Sequence, residues 1–166
     1  IKHLINNAKI AQEAKSMSIK IFERLAKAEA NVHGKSIDEV HFHEIGALDS
    51  IIDIVGTCIA IHLLKVKQCV CRYLPLGNGF VKCAHGTLPV PAPATVELLK
   101  GFPVRFREVN TELTTPTAAA IISTLCGHKI EDEFFPEAVG YGLGSKIIKD
   151  IPNVVRVIIG NFRSQK

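Results

Sequence analysis

From Ile1 to Ala30 the apolar positions return at helical spacing: Leu4, Ile5, Ala8 and Ala11, then Ile19, Ile21, Phe22, Leu25 and Ala26, with Lys and Glu between them. Residues three and four apart share a helix face, so this spacing predicts two amphipathic helices broken near Ser16 to Ser18. Gly34 stands where a helix would end, and Ser36-Ile37-Asp38-Glu39 has the makings of a capped turn. His41-Phe42-His43 then reads as a short extended stretch, in which the two imidazoles share one face and Phe42 takes the other. From Ile45 to Leu64 the pattern predicts a long helix. Asp49, Asp53, Thr57 and Ala60 form one narrow stripe on it and apolar side chains cover most of the rest, so a largely buried helix with one acidic seam is expected.

Downstream the period shortens. Cys69 to Leu74 reads as a strand, Pro75 to Gly79 as a turn and Phe80 to Lys82 as another extended piece. Leu88-Pro89-Val90-Pro91-Ala92-Pro93 must be extended, because a residue preceding proline is disfavoured in the helical region. Pro93 can open a helix running to about Lys100 and ended by Gly101. Val104 to Arg107 alternates as a strand. Thr115 is placed to cap a helix that has Pro116 in its first position and ends near Leu125. In the tail, Gly140, Gly142 and Gly144 precede a strand at Val154 to Ile159. That glycine series lacks the order and the strand-to-helix setting of a dinucleotide loop, so close backbone packing or a loop is the simpler reading. The elements predict a mixed α/β (α+β) fold, a small mixed sheet flanked by several helices in a single domain, with strand order left open.

Composition narrows the function classes. With 47% hydrophobic and 22% charged residues and a mean hydropathy of +0.21, the chain of 166 residues has the makings of a core and is no disordered segment. No apolar run reaches the roughly 18 residues of a membrane span. The net charge of +4 is spread thinly, without the basic stripe and interleaved aromatics of a nucleic-acid surface, which suits a small phosphate-bearing ligand better than a polymer. Five cysteines without framework spacing fit reduced thiols and a cytoplasmic protein. The chain opens at Ile1 and not at Met, so a piece of something longer is expected.

Candidate chemistry concentrates at 41–53, where His41, His43, Glu44, Asp49 and Asp53 sit among apolar neighbours. A buried charge costs several kcal/mol, on the order of the stability of many domains, unless paired or metal-bound. His41, His43 and Glu44 are the candidate metal ligands, in a donor set that suits nickel, zinc or iron. The alternative is two histidines held by backbone hydrogen bonds, with Glu44 as a favourable charge at a helix start. Asp49 and Asp53 are either functional acids or the wet face of the helix. Lys82 and His85 with Thr114 and Thr115 are candidates for an anion site at the proline-led helix starts, although ordinary capping explains the same residues. Cys69 and Cys71 share a strand face with Cys83 within reach, a pattern open to metal binding or to simple packing.

The segments HFHEIGALDSIIDIVG at 41–56, LPLGNGFVKCAHGTLPVPAPATVELLKG at 74–101, ELTTPTAAAI at 112–121, VGYGLGS at 139–145 and NVVRVIIG at 153–160 together resemble the nickel insertion protein family of lactate racemase maturation. The resemblance implies nickel insertion into pyridinium-3,5-bisthiocarboxylic acid mononucleotide, dependent on CTP with a divalent metal, giving the nickel-pincer nucleotide cofactor of lactate racemase. That is cyclometallase chemistry of the lyase class. Under it, Glu44, Asp49 or Asp53 would take the ring proton as the carbon–nickel bond forms, while His41, His43 and Glu44 would hold nickel. The chain would be the central to C-terminal part of the first domain. The family's N-terminal segment, His-rich stretch and C-terminal domain would lie elsewhere, the last of them binding most of the CTP. Implied partners are the pyridinium nucleotide, the rest of the nickel insertion protein and further copies of the chain, with no nucleic acid or membrane. Where the family has Thr-Pro-Thr-Gly-Ala-Ala, this chain has Thr115-Pro116-Thr117-Ala118-Ala119-Ala120, which adds a methyl at Ala118. Two rivals stand beside this reading: a non-catalytic nickel-binding or structural module, and a zinc-dependent hydrolase built on the same cluster.

Overall fold

The computed structural model describes residues 1–39, 48–83, 86–129, 133–149 and 151–163. Its elements in chain order are α1 (Lys2–Asn7), α2 (Gln12–His33), a 3-10 turn (Ile37–Glu39), α3 (Leu48–Leu63), β1 (Cys69–Val70), β2 (Leu74–Leu76), β3 (Phe80–Cys83) and β4 (Gly86–Pro89). Next come α4 (Pro93–Leu98), β5 (Val104–Phe106), α5 (Pro116–Leu125), β6 (Cys126–Gly127), β7 (Glu133–Leu143) and β8 (Val154–Arg163). The fold is mixed α/β, as the pattern predicts. Its strands pair two by two: β1 with β6 and β2 with β5 in parallel, β3 with β4 and β7 with β8 antiparallel.

The chain divides into two compact units, Ile1–Lys129 and Ile130–Lys166. In the first, α2 is the central helix and packs against α1, α3, α4 and α5. Ile21, Phe22 and Leu25 lie on its buried side and meet Ile5, Ile54, Leu98, Ala119 and Ala120 in one apolar cluster. The break between the first two helices falls at residues 8–11, not near Ser16 to Ser18. Ser18 sits fully buried inside α2 because its hydroxyl donates to the Ala14 carbonyl at 2.8 Å, so the serine never needs to leave the helix. Gly34 ends α2 in the left-handed conformation, with φ of 62°. In the 3-10 turn beyond it, the Glu39 carboxylate accepts from both the hydroxyl and the backbone N–H of Ser36.

Two polar contacts tie α4 to α2. The Arg24 guanidinium donates to the Leu98 carbonyl at the end of α4 (3.1 Å), and the Asn31 amide donates to Glu97 (2.9 Å). The segment before α4 is extended, as its prolines require, and the Val90–Pro91 peptide is cis.

The second unit is a long antiparallel hairpin of β7 and β8, with an irregularity in register between Pro136 and Ala138. Phe134 and Phe162 meet with ring centroids 4.9 Å apart, and the Arg163 guanidinium lies 4.6 Å above the Phe135 ring. Gly140 and Gly142 fall inside β7, so these two belong to a strand and not to a loop, while Gly144 lies just past its end and packs closely against Asn153.

Candidate functional site

Asp49 lies in the first turn of α3, where a carboxylate is favoured by the helix dipole, and its Oδ1 accepts from the Ser50 N–H at 2.8 Å. Asp53 comes one turn later, and both acids face solvent. The apolar residues around them are not covered as expected: Leu48 is 70% and Ile52 59% exposed. The reason is that α3 packs with one side only, burying Ser50, Ile54 and Cys58 and half-covering Ile51, Val55 and Ile59 beside them. An exposed face that carries two carboxylates and two large aliphatic side chains therefore begins at Leu48, four positions after Glu44 in the sequence. His41, His43 and Glu44, the proposed metal ligands, lie outside the described residues, as does His85.

The anion-site candidates sit around the ends of two parallel strands. At the C-terminal end of β2, Leu76 accepts from the Arg107 N–H (2.8 Å), and the Asn78 N–H donates to the Val109 carbonyl (2.9 Å). Gly77 between them has no room for a side chain, because a Cβ there would lie 1.9 Å from the Thr111 carbonyl oxygen. Thr114 is buried and its hydroxyl donates to the Pro75 carbonyl at 2.7 Å, so it clamps the strand end to the start of α5. Thr115 caps α5: its hydroxyl oxygen accepts from the Ala118 N–H at 3.2 Å, with Pro116 at the first helical position. Both threonines thus already have structural hydrogen bonds. Lys82 projects from β3 and is exposed, with no hydrogen bond or ion pair among the described residues. In the ladder of β3 and β4 it lies opposite Thr87. The structure ties Thr114 to Pro75 in β2, sets Thr115 next to it at the start of α5, and places Lys82 on the hairpin that leaves the 77–79 loop, whose own neighbours are Val109 and Thr111.

A second cluster is only half visible in the sequence. The parallel register of β1 and β6 sets Cys69 opposite Cys126. A hydrogen bond between the two thiols holds Cys69 down to about 7, against the opposing push of burial. The same bond, with burial and the nearby Cys69 and Cys71, pushes Cys126 far up. Burial also raises Cys71, whose S–H donates to the Tyr73 carbonyl at 3.4 Å. Cys69 lines an open cleft of about 270 Å³ together with Met17, Ile61, Lys67 and Leu125. The cysteine spacing picks out Cys69 and Cys71 but gives Cys126 no role, because the partner arrives through a long-range parallel pairing. Among the described residues no group of three or more His, Cys, Asp or Glu converges as a metal site.

Comparison with known proteins bears on this arrangement. The model of the family described as "Nickel insertion protein" matches residues 1–166, the whole chain. The chain belongs to the nickel insertion protein family. A relative in Clostridium kluyveri named pyridinium-3,5-bisthiocarboxylic acid mononucleotide nickel insertion protein is 45% identical over 172 residues, covering 100% of this chain and 42% of its own length. A protein of the same name in Clostridium acetobutylicum is 46% identical over 165 residues, covering 99% of this chain and 39% of its own. A putative nickel insertion protein of Myxococcus xanthus is 46% identical over 163 residues, with 98% and 42% covered. This member of the nickel insertion family thus spans about two-fifths of the length of these relatives. No solved structure matches it. No helix among its described residues is long and apolar enough to cross a membrane.

Proposed function

We propose that this chain forms part of a cytoplasmic protein that inserts nickel into pyridinium-3,5-bisthiocarboxylic acid mononucleotide. The observation that carries the reading is the family match along all 166 residues, joined to relatives whose names state that substrate. Nickel is here a substrate. It is handed to a ligand with two sulfur donors and one ring carbon, and the carbon must lose its proton as the carbon–nickel bond forms. His41, His43 and Glu44 supply nitrogen and oxygen donors of intermediate softness, which hold nickel without competing with the sulfur-rich product. Asp49 and Asp53, exposed on the first turns of α3, or Glu44 before them, take the ring proton. Lys82 and His85, with the α5 start at Thr114 and Thr115, receive the nucleotide phosphate. The product serves as the nickel-pincer cofactor of lactate racemase, and CTP with its divalent metal is bound mainly by the remaining length of the protein.

A second reading, in which this chain binds or delivers nickel without performing the chemistry itself, is favoured by Thr114 and Thr115 already being engaged in structural hydrogen bonds. Calorimetric titration of nickel into the protein and its His41→Ala/His43→Ala double variant, with and without the pyridinium nucleotide, separates them. Tight nickel binding that is lost at least about tenfold in the variant and depends on the nucleotide supports insertion at this site. Nickel binding indifferent to the nucleotide supports delivery. Equal binding by both forms removes His41 and His43 as ligands.

A further inference from the structure

We propose that Cys69 and Cys126 form an oxidisable dithiol site, which a low-molecular-weight disulfide of the glutathione class converts into an intramolecular disulfide. The fold builds this pair, since β1 comes after α3 while β6 ends α5, and the parallel register sets the two cysteines opposite each other. Paired strands run about 4.8 Å apart, inside the roughly 4.4–6.8 Å Cα window of disulfides. The two thiols are close enough for Cys126 to act on Cys69 and hold it below the usual thiol range. Cys69 also lies on the open cleft beside Lys67, where a small disulfide can reach it. The other described thiols are differently placed: Cys58 is fully buried against Ser18, and Cys71 donates to the Tyr73 carbonyl.

The order of events reflects the asymmetry of the pair. The Cys69 thiolate attacks one sulfur of the small disulfide, breaking its S–S bond and releasing one thiolate. Cys126 then gives its proton to solvent, attacks the Cys69 sulfur and expels the second small thiol. Two protein S–H bonds are lost, one S–S bond forms and the oxidant leaves as two thiols. Near neutral pH about half of Cys69 is thiolate, which outweighs the lower intrinsic nucleophilicity of a more acidic thiol, so a several-fold faster reaction than at an ordinary cysteine is expected.

The test is oxidation of the whole chain with oxidised glutathione, then tryptic mapping. Cys69 and Cys71 share the tryptic peptide 68–72, so the mapping is run in wild type and in Cys71→Ser. The expected result is a link from 68–72 to 108–129 in both, reversed by a thiol reductant, and in Cys126→Ser a stable glutathione adduct on Cys69 instead. A link from Cys69 to Cys71 or Cys83, a link between chains, or no link at all would overturn the proposal. So would an adduct on Cys69 in Cys126→Ser that forms no faster than on Cys71. Where a variant folds poorly, fragmentation of the linked 68–72 peptide from wild type assigns the bridge to Cys69 or to Cys71.

Discussion

At the scale of single residues, the most telling positions are those whose polar atoms are already in use. The Thr114 hydroxyl is buried and bonded to the Pro75 carbonyl, so Thr114→Val keeps the shape but strands that carbonyl. A loss of about 1–3 kcal/mol is expected from urea unfolding, with the slope of the transition unchanged. Thr115 as a cap and Gly34 as a helix end are legible in the sequence, because each depends on residues within one turn of itself. Gly77 is not: its need for a bare backbone comes from Thr111, which only the fold brings beside it. Cys126 is invisible for the same reason.

At the scale of elements, periodicity yields the helices and strands, and where it misplaces them the causes are identifiable. Serine competes with the helical backbone, which is why the pattern points to a break at the serines, a cost that Ser18 avoids by bonding to the Ala14 carbonyl. On α3 the apolar pattern suggests burial on most sides, yet the pattern cannot report how many neighbours a helix has, and α3 buries only Ser50, Ile54 and Cys58. The turn after α2 offers a test in acid. The Ser36 hydroxyl, then the Ser36 N–H, hold the Glu39 carboxyl below the usual carboxylate range, with Lys35 adding to this. A carboxyl lowered in the folded state stabilises above its unfolded value, near pH 4.3, and that contribution is lost as pH falls through the folded value. Titration by NMR should therefore show Glu39 titrating below a free glutamate, and the Ser36 amide losing protection in the same range. Glu39→Gln should abolish the pH dependence at Ser36.

At the scale of the whole molecule, the two compact units are unequal in what holds them. The first has a buried apolar cluster centred on α2, with Ile21, Leu25, Ile54 and Leu98 almost fully removed from water. The second rests on one hairpin, and Val139, Tyr141, Leu143, Val155 and Val157 remain exposed on it. A two-stranded ribbon has little independent stability in water. Amide exchange should accordingly be slowest at the buried positions of α2 and at least about tenfold faster along β7 and β8. Equal protection in the two would show that the hairpin is held by more than its own pairing.

Both parallel ladders are closed by residues up to Gly127, with β1 meeting β6 and β2 meeting β5. During synthesis the β2–β5 pairing needs the chain only as far as Phe106, whereas β1–β6 waits for the residues that follow α5, and neither takes a strand from the second unit. The parallel ladders are thus completed in chain order, β2–β5 before β1–β6, from residues of the first unit alone.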